Sequence, residues 1–221
     1  MSTRIRRTES FKLLWSVDYS MAKRWSDEEL SLLRSRYSNV PNSQLVKEFD
    51  RTNSAIKTKA SLEGLSKNSR LVTRWKIINS EMDEPGCNYF GNYIRGFTDG
   101  EGSFNYSHSQ NGSIKFRYAI ELVQSDEEVL KKIKNFFGVG VFGKYKKSNE
   151  EWEDSAQYSV HSAVELGNVI IPFFVSNPPI ADNKRKQFVE FAESFANYFD
   201  LDPETVKWVD RLQHIVVENG D

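Results

Sequence analysis

The chain is poor in the residues that staple small folds or hold metals by soft ligands. A single cysteine, Cys87, leaves no internal disulfide, and the three histidines His108, His161 and His214 offer no zinc-ligand spacing. Zinc fingers and histidine-metal nucleases drop out on that ground. Long apolar runs are missing as well: none approaches the roughly 20 residues that a membrane span requires, so no membrane role is expected. The opening stretch MSTRIRRTESFKLLWS is basic but lacks an apolar core and a small-residue cleavage site, and does not read as a secretory signal. A cytoplasmic, nucleoid-associated protein is the expectation. No internal repeat is visible either, so a function needing two copies of a motif has to find the second outside this sequence.

What is present fits a soluble globular protein, with 38% hydrophobic and 13% aromatic residues over 221 positions. That length accommodates a small domain beside a medium one. The net charge of −1 conceals an uneven distribution. Residues 1–80 hold 16 Lys and Arg against 8 Asp and Glu, whereas residues 81–221 hold 14 against 23. The first third is therefore basic, and phosphate affinity depends on which face carries the cations rather than on their sum.

After a tail (1–24), residues 25–67 predict three short helices. Ser26 with Glu29 makes a capping box, Asn42 follows Pro41 into a second amphipathic run, and Asn53 or Ser54 can cap a third that Gly64 stops. Trp25, Leu30, Leu33, Tyr37, Leu45, Phe49, Ile56, Ala60 and Leu65 are spaced to share one interior. The string RTNSAIKTKASLEGLSK resembles the last helix of SANT/Myb-like helix-turn-helix domains. That resemblance implies groove contacts from Lys57, Thr58 and Ser61, and phosphate contacts near Arg51, Lys59 and Lys67. A trihelical domain that binds protein is the alternative. Residues 68–86, with Pro85 and Gly86, read as a linker with a short helix around Trp75.

The most specific signal lies in CNYFGNYIRGFTDGEGSFNYS, an apolar helix that ends in acidic and glycine residues and runs straight into a strand. A helix from Asn88 sends Phe90, Tyr93, Ile94 and Phe97 toward a core. Gly96 and Gly100, four apart, make a smooth strip that another helix can approach. Two such helices side by side bring Asp99 and Glu101 next to their counterparts, and clustered carboxylates call for a cation between them.

The segment IRGFTDGEGSF resembles the LAGLIDADG motif of homing endonucleases, with Gly96, Asp99, Glu101 and Gly102 on matching positions and Arg95 where the pattern has Ala. The resemblance implies that Glu101 and the carbonyl of Gly100 bind Mg²⁺ or another divalent cation, while Asp99 is structural. It also implies that Gly96, Gly100 and Arg95 lie at a homodimer interface. The order downstream agrees: alternating residues 103–109 and 113–124 flank the turn Asn111-Gly112, and Ser125 with Glu128 caps a helix ending at Gly138. A second strand pair follows around 139–146 and 157–161, then an apolar helix through Ile170 and Phe174. The expected fold class is α+β, an αββαββα domain over residues 87–221 with an antiparallel DNA-binding sheet, preceded by the trihelical domain. Val206, Val209, Leu212 and Val216 make a terminal amphipathic helix.

Two further residues fall where the family keeps functional groups. Gln124 matches a Gln that orients water, and Lys184, in NPPIADNKRKQF, matches the second of two lysines near the scissile phosphate. Asp182 and Asn183 replace the usual Thr and first Lys. The strands would read DNA, since an antiparallel ribbon fits the major groove. If Phe104, Tyr106, Phe116, Tyr118, Ile120 and Leu122 face the helices, then Ser103, Asn105, Ser107, Lys115, Arg117 and Glu121 face the duplex. Lys144, Tyr145, Lys146 and Lys147 stay unsorted by parity, although Lys144 and Lys146 join the DNA-binding candidates. The expected function is a Mg²⁺-dependent endonuclease that cuts double-stranded DNA as a homodimer at a long pseudo-palindromic site, with no small-molecule cofactor. The alternative is a repressor descended from such an enzyme, which binds without cutting. An RNA-splicing maturase ranks last, because it calls for a more basic C-terminal part.

Overall fold

A computed structural model describes residues 24–82, 84–86, 88–147 and 153–217. The N-terminal tail before Arg24, Asp83, Cys87 and the side chain of Val216 lie outside the described residues. The chain divides after Ser66 into two compact units.

In the first unit, the capping box forms as the sequence predicts: Ser26 Oγ accepts from Glu29 N–H at 3.1 Å and the Glu29 carboxylate accepts from Ser26 N–H at 3.0 Å. It opens α1 (Asp27–Arg36). Helix α2 (Asn42–Phe49) follows Pro41, and α3 (Asn53–Leu62) ends before Gly64, whose φ of 68° suits a residue without Cβ. The cap of α3 is Thr52 rather than Asn53 or Ser54, its hydroxyl accepting from Ala55 N–H at 3.2 Å. Leu33, Tyr37, Leu45, Phe49, Ile56 and Ala60 form the core, with Trp25 and Leu65 packed at its edge. At roughly 1.5–3 kcal/mol for each fully buried large side chain, so small a core has few members to lose.

The second unit begins with the short helix expected around Trp75 in the 68–86 stretch. Asn68 caps α4 (Ser69–Ile78), and Ile77 is buried in the core of this unit. Arg74 donates to the carbonyl of Asp200 at 2.7 Å and pairs with Asp202 at 3.4 Å. Asn88 Oδ1 then caps α5 (Tyr89–Glu101), which runs directly into β1 (Gly102–His108) and β2 (Ile114–Val123). A 3-10 turn, Gln124–Asp126, leads into α6 (Glu127–Phe137). No side-chain cap bond starts α6, so the expected Ser125–Glu128 box does not form; the chain enters the helix already wound. Strands β3 (Val141–Tyr145) and β4 (Ser155–Val160) complete one antiparallel sheet, ordered β1-β2-β4-β3.

Behind the sheet lie α7 (Ala163–Glu165), a π-turn over Leu166–Ile170, α8 (Ile171–Ser176), α9 (Asp182–Phe199) and α10 (Lys207–Val217). The architecture is α+β, with helix, two strands, helix, two strands and helix in the expected order. Phe104, Phe116, Tyr118 and Ile120 are buried on the inner face of the sheet, where Phe104 meets Phe174 and Phe188 at 5.1 Å between ring centroids. The buried face of α10 is formed by Trp208, Leu212 and Ile215, while Val206 and Val209 are half-buried; Trp208 Nε1 donates to Gly167 O at 2.8 Å. Among the described residues, no helix is long and apolar enough to cross a membrane.

Candidate active site

Helix α5 brings the acidic residues to the edge of the sheet, and its two sides differ. On the inner side Ile94 and Thr98 are fully buried, and Thr98 Oγ1 lies 2.8 Å from the Tyr118 hydroxyl of β2. Burial pushes the Tyr118 phenol far above its ordinary range, although the Thr98 bond works the other way; it stays neutral. On the outer side Tyr89, Asn92, Gly96 and Gly100 are exposed. Tyr93, expected in the core, belongs with them at 41% exposure, stacked between Phe90 and Phe97. A Cβ placed on Gly96 or Gly100 would meet nothing within 4 Å.

The two acids at the end of α5 have opposite fates. Asp99 accepts from the backbone N–H of Ile180 at 3.1 Å and of Ala181 at 3.2 Å, so its charge sits at the start of α9, where a helix dipole welcomes it. Glu101 is exposed, and among the described residues its carboxylate has no hydrogen-bond or ion-pair partner. A carboxylate at the C-terminal end of a helix opposes the dipole; for Asp99 two N–H groups offset this, and for Glu101 no hydrogen bond or ion pair among the described residues does.

The loop between α8 and α9 is tied to the same helix. Arg95 Nε donates to Pro178 O at 2.5 Å, and Lys184 Nζ donates to the carbonyl of Gly102, next to Glu101. Arg95, expected at the dimer interface, is through this bond also tied to its own chain. Gln124 lies at the same end of the sheet, because Gly102 pairs with Ile120 and β2 continues past the start of β1. Its backbone N–H donates to Asp154 O at 2.8 Å, and its amide side chain has no partner among the described residues. Glu101, Lys184 and Gln124 therefore gather at one end of the sheet.

Register sorts the strand residues. Ser103 pairs with Ala119, Asn105 with Arg117 and Ser107 with Lys115, so these side chains share the outer face with Glu121, which pairs with Gln157. Tyr106 lies on the inner face as expected, its ring 5.9 Å from that of the core residue Phe116, but near the end of β1 it is 43% exposed. Lys144, a DNA-binding candidate left unsorted by parity, pairs with Ala156, an inward position, and its Nζ lies 2.5 Å from Glu127 of α6. Lys146 lines a shallow outer cleft with Arg117, Glu121, Tyr145, Lys147, Ser155 and Gln157. Gln157 was not singled out by the sequence, since the parity of the second strand pair was open.

Two candidates of the first unit are likewise engaged within their own fold. The side chain of Arg51 is 6% exposed, lies 4.1 Å over the Trp25 ring and donates at 2.8 Å to Glu29 and to Arg24 O. Lys59 pairs with Glu63 at 2.7 Å. Lys57, Thr58 and Ser61 do share an exposed face of α3, together with Leu62.

Residues 94–195 match the family model of the LAGLIDADG endonuclease. The match runs from Ile94 in α5 to Phe195 in α9, a little under half of the chain, and includes Glu101, Gln124 and Lys184. Solved structures similar to this chain include the LAGLIDADG meganuclease I-CpaMI bound to uncleaved DNA, at 26% identity over 59% of this chain and 43% of that one, with a TM-score of 0.44. The I-SmaMI LAGLIDADG homing endonuclease bound to cleaved DNA is 21% identical over 60% of this chain and 44% of that one, with a TM-score of 0.44. The homing endonuclease I-TnaI is 21% identical over 59% of this chain and 88% of its own, with a TM-score of 0.41. The chain spans less than half the length of the first two. No curated protein matches. Among the described residues no group of three or more His, Cys, Asp or Glu side chains converges as a metal site.

Proposed function

We propose that this chain is a LAGLIDADG homing endonuclease that acts as a homodimer and cuts both strands of a long pseudo-palindromic DNA site with Mg²⁺ or another divalent cation. The observation that carries the reading is Glu101, an exposed and unpartnered carboxylate at the negative end of a helix whose neighbouring acid is fully satisfied. Hard oxygen donors of this kind suit Mg²⁺. Glu101 and the Gly100 carbonyl would hold the ion, and the remaining positions fall to a second copy, to phosphate oxygens and to water. Such an ion lowers the pKa of a bound water and stabilises charge on the phosphate.

The residues of the chain then divide the labour. Gly96 and Gly100 leave the outer side of α5 open to the same helix of a second copy, a self-complementary two-fold contact. Lys184, held at the Gly102 carbonyl, keeps an ammonium beside the acid, suited to charge developing on the scissile phosphate. Gln124 presents a free amide that can orient water. Ser103, Asn105, Ser107, Lys115, Arg117, Glu121 and Lys146 supply the DNA-facing surface of the sheet. Lys57, Thr58 and Ser61 of α3 would extend the site outward through the first unit, as helix-turn-helix recognition helices do.

The test uses the full chain and a site selected from random duplexes. With Mg²⁺ the unmutated protein is expected to make double-strand breaks there, and Glu101→Gln to lower cleavage by at least about a hundredfold while binding persists. Retention of the site with no cleavage by the unmutated chain would reject the nuclease and leave a DNA-binding repressor.

A further inference from the structure

The outer face of the sheet carries a relay of polar side chains that joins β2 and β4 to the residue run just past β3. Arg117 of β2 donates from Nη2 to Oε1 of Gln157 on β4. The Gln157 amide donates in turn from Nε2 to Oε2 of Glu121 at 3.1 Å, and Lys147, just past β3, donates to Oε1 of Glu121 at 2.9 Å. Lys147, with the nearby Ser155 hydroxyl, keeps the Glu121 carboxyl below the usual carboxylate range, so the acceptor at the end of the relay is ionised at neutral pH.

The relay fixes orientations that would otherwise be free. Gln157, 8% exposed, has its carbonyl oxygen turned to Arg117 and its NH₂ to Glu121, and a flip would set donor against donor at one end and acceptor against acceptor at the other. Arg117 is consequently held from below. Its Nε is buried, and one Nη2 hydrogen is given to Gln157. The hydrogens left for a ligand lie on Nη1 and on the other side of Nη2, a parallel pair of donors at the tip of the side chain. A planar double donor fits the two adjacent acceptors that guanine alone shows in the major groove, O6 and N7. A lysine ammonium can reach the same acceptors but carries no fixed planar pair.

Resting on the reading of the sheet as a DNA-binding surface, we propose that Arg117 is a specificity-determining residue that selects guanine in each half-site, with Gln157 and Glu121 as its positioning residues. Surface arginines that touch phosphate need no such support, because a phosphate accepts from any direction. The investment of two buried or paired side chains in one guanidinium is what a base contact requires.

Selection of bound duplexes from a random pool, carried out with the full chain in EDTA so that cutting plays no part, tests the assignment. The unmutated chain should fix one guanine per half-site. Arg117→Lys, which keeps the charge, should relax that position by roughly 5- to 150-fold, the worth of a bidentate pair, and leave preferences elsewhere unchanged. Gln157→Ala should relax the same position by less, and Arg117→Ala by at least as much as the lysine variant, with thermal unfolding recorded on each to show that they fold. Selected sites identical for the unmutated and Arg117→Lys chains would overturn the assignment while preserving DNA binding. A chain that enriches no duplex would overturn both.

Discussion

Helix α5 and the sheet beside it each have a satisfied side and an open side, and the contrast separates what holds the fold from what it is for. Inward, Ile94 is buried, Thr98 is bonded to Tyr118, and Phe104, Phe116 and Tyr118 lie among the phenylalanines of α8 and α9. Outward, α5 presents two glycines, exposed tyrosines and an acid without a partner, and the sheet presents hydrogen-bonding groups. An inward residue is tested by stability, an outward one by association or binding. An outward residue whose substitution unfolds the protomer would break the division.

The largest effect is expected at the glycines. Gly96→Leu and Gly100→Leu should abolish dimers, measured by sedimentation at micromolar concentration, because a branched side chain fills the strip along which two helices approach. The folded protomer should tolerate them. Ala at either position should even stabilise the protomer by about 0.5–1 kcal/mol, since glycine is unfavourable within a helix and the added Cβ meets nothing. Dimers that persist with both leucines present would remove α5 from the interface.

A smaller effect follows from the inner side. Tyr118→Phe or Thr98→Val strands a buried hydroxyl, at a cost of about 1–3 kcal/mol, which for a unit of this size lowers the melting temperature by roughly 2–4 °C per kcal/mol. The double variant removes both polar groups and should recover most of the loss. Additive losses in denaturant titrations would mean that the two hydroxyls do not depend on each other.

Much of this division was legible in the sequence where the cause is local. The Ser26–Glu29 box, the Asn88 cap and the parity of β1 and β2 depend on residues within a few positions of each other or on strict alternation, and they appear as expected. The Ser125–Glu128 box has the same letters and does not form, because the preceding 3-10 turn already supplies the first bend. Charged residues were harder. Nothing near Arg51, Arg95 or Lys144 in sequence shows which group the charge meets in the fold; Glu29, Pro178 and Glu127 lie 17 residues or more away and are brought in by folding, whereas Lys59 meets Glu63 one helical turn on. Gln157 was missed for a related reason, since its face is set by the pairing of β4 with β2 across the sheet.

The smallest expected effect concerns His161, at the open face beside β4. Its ring lies 3.1 Å from Ser159 Oγ, and burial first, then the charge of Arg117, lowers its pKa below the ordinary value near 6.5. The unfolded chain therefore takes up this proton at a higher pH than the folded one. Stability contributed by the neutral ring is complete above about pH 6.5 and is lost as the pH falls from there through the folded pKa. His161→Asn should flatten the fall in melting temperature between pH 7.5 and 5.5 by a small but measurable amount. Arg117→Lys keeps a positive charge and should leave the titration of His161, followed by NMR, nearly in place, whereas Arg117→Ala should raise its midpoint toward 6.5 without reaching it, because burial remains the larger cause. A midpoint above 6.5 in the unmutated chain would mean that the ring gains a proton acceptor which the open face does not offer, and the outer surface would then have to be rebuilt around it.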